Sequence, residues 1–288
     1  MTILLLGANG QVGWELCRTL APLDRVMAVT RNDLDLADLD DVRRFLDAQV
    51  PQIIVNAAAY TAVDRAEQEP ADARRLNAEL PATLADWSAR HAVPVVHFST
   101  DYVFDGTKPE PYEEEDRPNP LNVYGQSKLA GDLALMETAW APFILRVSWV
   151  YGARGRNFLL TMRRLMAERD ELRVVDDQWG APTWSRDIAQ VAAFAVYRLL
   201  REPGFAESVK GIYHLSPEGE TNWFGFASAI KKMEGLDCRL EAIPSANYPT
   251  PAQRPANSRM NADKLFQALG LRLPHWGDSL AVCMESLA

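Results

Sequence analysis

The sequence predicts an α/β fold, a doubly wound parallel sheet followed by a smaller C-terminal α+β part. Over the first 150 residues, short apolar runs alternate with helical patterns, which is the order of a parallel sheet covered by helices on both faces. The run 53–55 is continuously apolar, as expected of a strand that is buried on both sides. After Tyr151 the composition shifts, and the stretch 202–255 is rich in Pro, Gly and turn residues.

The elements follow from these runs in chain order. The predicted strands are 2–6, 25–29, 53–56, 93–99 and 143–148. The predicted helices are 12–20, 39–49, a group ending at Arg90, 121–138, 157–169, 187–200, 263–269 and 278–287. This order predicts a first domain over 1–150, joined by 183–201, and a second domain over 151–182 and 202–288.

Composition limits the classes of function. The chain has 288 residues, and its net charge of -9 argues against a nucleic-acid partner. Three cysteines far apart in sequence predict neither a disulfide framework nor a zinc site, which favours a reducing cytoplasm. No apolar stretch approaches the ~20 residues of a membrane span, and the apolar start is too short for a signal peptide. We therefore expect a cytoplasmic protein that acts on a small molecule.

A glycine-rich loop follows the first predicted strand and precedes the first helix. Glycines at 7, 10 and 13 allow a tight turn and let backbone N–H groups approach a pyrophosphate at the helix N-terminus. The alternative for such a loop alone is a structural turn, but its position between strand and helix favours a Rossmann-type dinucleotide site. The predicted cofactor contacts in this loop are Gly7, Asn9, Gly10, Gln11, Val12 and Gly13.

The second strand ends at Thr30-Arg31, without the acid that binds the ribose 2′-OH of NAD. Arg31 is suited to a 2′-phosphate, so the sequence favours NADPH, with NADH as a second donor; a surface arginine is the alternative. Asp35 and Leu36 are expected to flank the adenine. After the third strand, the small side chains of Ala57, Ala58 and Ala59, followed by Tyr60, leave room for the nicotinamide and its ribose.

Tyr124 and Lys128 are four residues apart in a predicted helix and therefore share one face. A neighbouring cation favours the phenolate, so Lys128 is expected to lower the pKa of Tyr124 and make it a proton donor. Thr100 ends the strand 93–99, at the sheet edge where ligands bind in α/β folds. These three residues predict the catalytic groups of a carbonyl reductase.

With these motifs the chain resembles the extended short-chain dehydrogenase/reductases, and within them the dTDP-4-dehydrorhamnose reductase family. The resemblance spans nearly the whole chain. It rests on the glycine loop and on the segments 56–61, 99–106, 120–128, 148–152, 177–183, 254–255 and 257–258.

The resemblance implies NADPH-dependent reduction of the C4 ketone of dTDP-4-dehydro-β-L-rhamnose, the last step of dTDP-rhamnose synthesis for cell-surface polysaccharide. It implies that Tyr124 donates the proton, that Lys128 also holds the nicotinamide ribose, and that Thr100 polarises the carbonyl. The substrate contacts it implies are Thr100, Asp101, Tyr102, Trp149, Asn157, Gln178 and Arg254. A core tryptophan at 149 and a surface salt bridge at Arg254 are the alternatives.

The resemblance also bears on a metal. Some members of the family hold Mg²⁺ at a dimer interface through three glutamates, and Glu15 and Glu285 match two of these positions. The third is Arg186, and a guanidinium cannot replace a carboxylate ligand. We therefore expect neither a metal there nor that mode of dimerisation; the alternative for Glu15 is an exposed acid in the first turns of its helix.

Other functions share parts of this pattern. A sugar-nucleotide 4,6-dehydratase has an acid where this chain has Tyr102, which argues against dehydration. Another sugar-nucleotide 4-ketoreductase or an epimerase has the same loop and Tyr/Lys pair. A non-catalytic regulatory subunit, such as the resembling β subunit of methionine adenosyltransferase, would not need Thr100, Tyr124 and Lys128.

Overall fold

The computed structural model describes residues 2–287, so Met1 and Ala288, at the ends of the two predicted domains, lie outside the described residues. The strands are β1 Thr2–Leu6, β2 Arg25–Val29, β3 Ile53–Asn56, β4 Val95–Thr100, β5 Pro142–Val147, β6 Val150–Tyr151, β7 Glu171–Val175, β8 Trp179–Gly180, β9 Thr183–Trp184, β10 Gly211–Leu215, β11 Pro217–Glu218, β12 Thr221–Asn222, β13 Arg239–Ile243 and β14 Leu273–His275. The helices are α1 Gln11–Thr19, α2 Leu39–Gln49, α3 Val63–Ala66, α4 Pro70–Arg74, α5 Leu80–His91, α6 Val123–Thr138, α7 Phe158–Glu168, α8 Ser185–Arg201, α9 Phe205–Ser208, α10 Trp223–Glu234, α11 Asp263–Leu269 and α12 Trp276–Glu285. A π-helical turn covers Arg75–Glu79, and 3-10 turns cover Asp101–Val103 and Ser245–Asn247.

A six-stranded parallel sheet, in the order β10-β5-β4-β3-β1-β2, forms the centre of the fold. The predicted α/β class is confirmed, because helices cover both faces of this sheet. One face packs on α1 and α8 and the other on α2 and α5. Since β1 lies between β2 and β3, the direction of winding reverses there, and the crevice at their carboxyl ends is the expected ligand site.

The segment 202–255, which is rich in Pro, Gly and turn residues, contains regular elements that its composition does not indicate. Gly211–Leu215 is the edge strand of the main sheet and pairs in parallel with β5, and Trp223–Glu234 is a regular helix. The strand is only five residues long, and burial of Tyr213 and Leu215 against the sheet core, rather than local pattern, stabilises it.

A second cluster of buried side chains lies around the parallel pair β7–β13 and includes residues of α7, α10 and α12. The division into a cofactor domain and a substrate domain stays a prediction. Within residues 2–287, no helix combines the length and the apolar character needed to cross a membrane.

Candidate active site

The carboxyl ends of the central strands open into a long groove. Two adjoining hollows, of about 530 and 540 Å³, share Asn9, Gly10 and the segment 57–59 in their walls. Because they share these residues, they form one groove across the switch point of the sheet. An outer half lies beside the end of β2, and an inner half lies beside the ends of β4 and β5.

The glycine loop is shaped by two close backbone contacts. Gly7 has φ +76°, and a Cβ there would lie 2.6 Å from Ala58 N. A Cβ on Gly13 would lie 2.1 Å from Gly7 O, so this glycine lets α1 pack on the loop. Gly10 precedes α1, and no side chain caps that helix N-terminus. The free N–H groups in the first turn of α1 therefore suit an anion in the groove.

The structure brings the predicted cofactor residues together, with one exception. Gly13 is buried beneath the loop and does not line the groove. The other predicted residues that line it are Gly7, Asn9, Gly10, Gln11, Val12, Arg31, Asp35, Leu36, Ala57, Ala58, Ala59, Tyr60, Tyr124 and Lys128.

The outer half of the groove carries basic side chains. Arg31 is exposed there, and among residues 2–287 it has no hydrogen-bond or ion-pair partner. Arg65 bonds Glu69 at 2.6 Å, and Glu69 also accepts a hydrogen bond from the Tyr60 hydroxyl. These two hydrogen bonds lower the pKa of Glu69. The arrangement leaves Arg31 available to an anionic ligand.

Helix α6 presents Tyr124 to the inner half of the groove. Asn122 caps this helix by accepting a hydrogen bond from Gly125 N at 2.8 Å, which places Tyr124 in the first turn. Thr100 ends β4 and lines the same inner half as Tyr124. The ring of Tyr102 packs edge-on against that of Tyr124, with 5.8 Å between centroids.

The expected effect of Lys128 on Tyr124 is not found. Burial raises the pKa of Tyr124, and the nearby Thr100 hydroxyl opposes this only in part. The Lys128 ammonium position explains the difference, because Nζ donates to Phe98 O at 2.6 Å and lies 3.0 Å from His97 Nε2. Burial lowers the pKa of Lys128 itself to about 8. Burial is therefore the main influence on the pKa of Tyr124.

Asp101 is a buried carboxyl in the wall of the inner half. Its Oδ1 accepts a hydrogen bond from the Thr100 hydroxyl at 3.1 Å, whereas Oδ2 lacks a hydrogen-bond partner within residues 2–287. Burial raises the pKa of Asp101 to about 7, against the opposing effect of the Ser258 and Thr100 hydroxyls. The carboxyl therefore changes its charge near neutral pH.

Trp149 also lines the inner half and has an unusual backbone. Its φ of +46° is rare for a bulky residue and marks local strain. The ring stacks on Trp223 with 3.6 Å between centroids, and Nε1 donates to Ser258 Oγ at 3.2 Å. Gly180 lies against it, since a Cβ there would be 2.6 Å from Trp149 Cε2.

Three predicted substrate residues do not line the groove. Asn157 caps α7 and donates to Gln11 Oε1 at 2.8 Å. Gln178 accepts a hydrogen bond from Trp223 Nε1 at 3.2 Å. Arg254 makes a two-pronged ion pair with Asp64, at 3.1 and 2.8 Å. All three hold neighbouring segments together.

Comparison with known proteins identifies the family. Residues 1–288 match the family described as RmlD substrate binding domain. The chain belongs to this family. The dTDP-4-dehydrorhamnose reductase of Burkholderia thailandensis is 45% identical over 100% of this chain and 99% of its own length. That of Escherichia coli K12 is 43% identical over 96% of this chain and 94% of its own length.

Solved structures agree with the sequence comparison. A dTDP-4-dehydrorhamnose reductase from Clostridium acetobutylicum superposes with a TM-score of 0.93 and 34% identity, over 100% of this chain and 99% of that one. A Bacillus anthracis dTDP-4-dehydrorhamnose reductase in complex with NADP gives a TM-score of 0.90 and 34% identity, over 99% of both chains.

Arg186, the residue that led us to expect no metal, contacts Glu15 in the structure. Glu15 is 3% exposed, so the alternative of an exposed acid is wrong. Its carboxylate lies 3.4 Å from Arg186 Nε, and the Arg186 guanidinium packs over the Trp184 ring. Glu285 is exposed. Within residues 2–287, no group of three or more His, Cys, Asp or Glu side chains is arranged to hold a metal.

Sequence reasoning missed several residues of the site. Arg156 and Trp223 line the inner half, and Arg65 lines the outer half. His97, which belongs to none of the sequence motifs, contacts Lys128. His97 lies next to Phe98 on β4, and Lys128 lies on α6. Only the tertiary structure shows that α6 brings Lys128 to His97.

Proposed function

We propose that this chain reduces the C4 ketone of dTDP-4-dehydro-β-L-rhamnose to dTDP-L-rhamnose with NADPH, as the last step of dTDP-rhamnose synthesis. The observation that carries the proposal is that Thr100 at the end of β4 and Tyr124 and Lys128, one turn apart on α6, line the inner end of a dinucleotide groove together. The full-length relatives named for this reaction support the choice of substrate.

The groove fits a dinucleotide phosphate cofactor. The uncapped N-terminus of α1 would hold the pyrophosphate, the small segment 57–59 would adjoin the nicotinamide half, and Arg31 would meet a 2′-phosphate. NADPH, when bound, supplies the hydride for the ketone. The protein supplies the proton and the positions of the reacting groups.

Tyr124 is the proposed proton donor. Its raised pKa keeps the phenol protonated at neutral pH, so the proton is in place before reaction. Thr100, which lines the inner half with the phenol, is proposed to bind the ketone oxygen and to stabilise the negative charge that develops on it. Lys128 favours the phenolate that remains after transfer, because an opposite charge nearby stabilises an anion.

The sugar is proposed to contact Asp101, Tyr102 and Trp149. The buried Asp101 Oδ2 has an unused acceptor position that a sugar hydroxyl would satisfy. Trp149 offers a flat apolar face fixed by Trp223. Contacts of Asn157, Gln178 and Arg254 with the nucleotide diphosphate stay predictions, and Arg254 would have to exchange its Asp64 partner to make one.

The proposal is tested by following NADPH absorbance with purified protein and a panel of 4-keto sugar nucleotides. We expect turnover with dTDP-4-dehydrorhamnose, slower turnover with NADH, and one oxidised cofactor released for each dTDP-rhamnose formed. Turnover of a different 4-keto sugar nucleotide alone would assign another ketoreductase, and cofactor binding without any turnover would indicate a regulatory subunit. We propose that the reaction takes place in the cytoplasm.

A further inference from the structure

Trp149 has a strained backbone at the wall of the inner half of the groove. Its φ of +46° lies in the left-handed region, which a bulky residue adopts only where its surroundings hold it there. The ring lines the groove together with Asp101 and is the proposed apolar contact of the sugar. A residue that holds this ring would therefore determine how well the sugar is bound.

Three contacts hold the indole, and each restrains a different motion. The stack on Trp223, with 3.6 Å between centroids and 8° between the planes, keeps the ring from tilting. Gly180 makes room for one edge of the ring, since a Cβ there would lie 2.6 Å from Trp149 Cε2. A stacked ring can still turn within its own plane. The hydrogen bond from Nε1 to Ser258 Oγ, at 3.2 Å, is directional and opposes that turn.

Ser258 is fixed by its backbone rather than by its side chain. Its N–H donates to Trp179 O at 2.8 Å, and its neighbour Asn257 pairs with Trp179 in a short parallel bridge. Asn257 Nδ2 donates to Lys108 O at 2.6 Å and to Glu110 O at 3.0 Å, which ties the same segment to a second loop. These contacts present the hydroxyl to the indole and do not depend on the hydroxyl itself.

The Ser258 hydroxyl serves as an acceptor to the indole and keeps its own proton to donate. An indole N–H only donates, so Oγ must be the acceptor in the contact with Trp149. Trp179 O lies 3.4 Å from Oγ, and the hydroxyl also favours the charged form of the nearby Asp101 carboxyl. Ser258 is 2% exposed, so its partners are groups of the protein. It therefore lies between two groups that are proposed to contact the sugar.

We propose that Ser258 is a positioning residue for the sugar, because its hydroxyl holds the Trp149 ring in the strained conformation that presents the indole to the groove. Without the hydroxyl, the ring would be free to turn on Trp223 and the backbone of Trp149 to relax. The sugar would then lose an ordered apolar face, whereas the glycine loop would keep its contacts with the cofactor. This inference rests on the proposed function, in which Trp149 contacts the sugar.

The first test follows the Trp149 Nε1–H in protein without cofactor or sugar. Nitrogen-15 labelling gives one indole signal for each of the eight tryptophans, and Trp149→Phe assigns the signal. In Ser258→Ala we expect that proton to exchange with solvent at least about threefold faster, because its acceptor is gone. Ser148→Ala is the matched control, since Ser148 is 1% exposed and its hydroxyl bonds Ala181 O rather than the indole. Unchanged exchange in Ser258→Ala, or an equal change in the control, overturns the proposal.

The second test is a kinetic double-mutant cycle. Ser258→Ala should raise KM for dTDP-4-dehydrorhamnose about three- to tenfold, with kcat and the Kd for NADPH changed less than about twofold. In a Trp149→Phe background, which has no indole N–H, the same substitution should change KM less than about twofold, because the interaction that it removes is already absent. Equal effects in the two backgrounds, or a loss confined to kcat or to NADPH binding, overturn the proposal.

The two tests separate this inference from the proposed function. Indole exchange is measured without substrate, so a protein that protects the Trp149 proton through Ser258 but turns over no 4-keto sugar nucleotide would reject the proposed function alone. An active reductase whose KM does not depend on the Ser258 hydroxyl would reject only this inference. If Ser258→Ala does not fold, Ser258→Cys decides the matter by the same two measurements, because sulfur is a weak acceptor.

Discussion

Replacing Asp101 by asparagine is expected to stabilise the protein at alkaline pH while it weakens the reductase. The carboxyl is 2% exposed, and burial raises its pKa to about 7. Above that pH the folded protein must hold a buried charge with an unpartnered Oδ2. Asparagine keeps the acceptor for the Thr100 hydroxyl and carries no charge, so it removes this cost.

The size of the effect follows from the pKa change. Because the folded state binds this proton more tightly than the unfolded state, stability falls as pH rises from the ordinary value of 3.8 toward about 7, and stays low above it. At about 1.4 kcal/mol for each pKa unit, the largest loss is about 4 kcal/mol. We expect Asp101→Asn to gain about 2 to 4 kcal/mol at pH 8 and almost nothing at pH 4.

Urea unfolding of both proteins at pH 4 and pH 8 measures this difference. Asp105→Asn serves as the control, because hydrogen bonds from Asn119 and Thr107 hold the pKa of Asp105 below its usual range. That variant should lose stability at pH 8 rather than gain it. If Asp101→Asn gained the same free energy of unfolding at both pH values, or lost it at pH 8, the carboxyl would not carry a buried charge.

Three further predictions concern other parts of the groove and its surroundings. Arg31→Ala should raise KM for NADPH about tenfold and leave KM for NADH unchanged in steady-state assays, because only the 2′-phosphate is lost as a partner. Gly180→Ala should displace the Trp149 ring and raise KM for the sugar nucleotide, with the Kd for NADPH, measured by fluorescence, unchanged. Arg186→Ala should cost about 1 to 3 kcal/mol in urea unfolding because it leaves Glu15 buried without its partner, and a chelator should not change the wild-type value.

Residue patterns within single elements of secondary structure predicted many of the residues that line the groove. Gly13 is required by its contact with Gly7 O inside one strand-loop-helix unit, and Gly7 has a positive φ in the same loop, so their spacing is visible in the sequence. Tyr124 and Lys128 lie one helical turn apart, and the predicted helix forms with Asn122 as its cap. Thr100 lies at the carboxyl end of β4. Because the sheet is parallel, this end and the ends of the neighbouring strands lie at one edge.

Contacts between distant segments were not predictable in the same way. The sequence shows the cation near Tyr124 but not the burial that raises the pKa of the phenol. The contact between His97 and Lys128 joins β4 to α6, and the burial of Glu15 depends on Arg186 from α8. These features depend on how elements pack, which residue spacing does not encode.

A single-turnover measurement on Tyr124→Phe tests most directly the central claim that Tyr124 is the proton donor. Enzyme saturated with NADPH is mixed with dTDP-4-dehydrorhamnose, and loss of the reduced-cofactor absorbance is timed against the wild-type protein. Removal of the proton donor should slow hydride loss at least ~100-fold, while the Kd for NADPH stays the same. A variant that oxidises NADPH at the wild-type rate would show that the sugar receives its proton from another group.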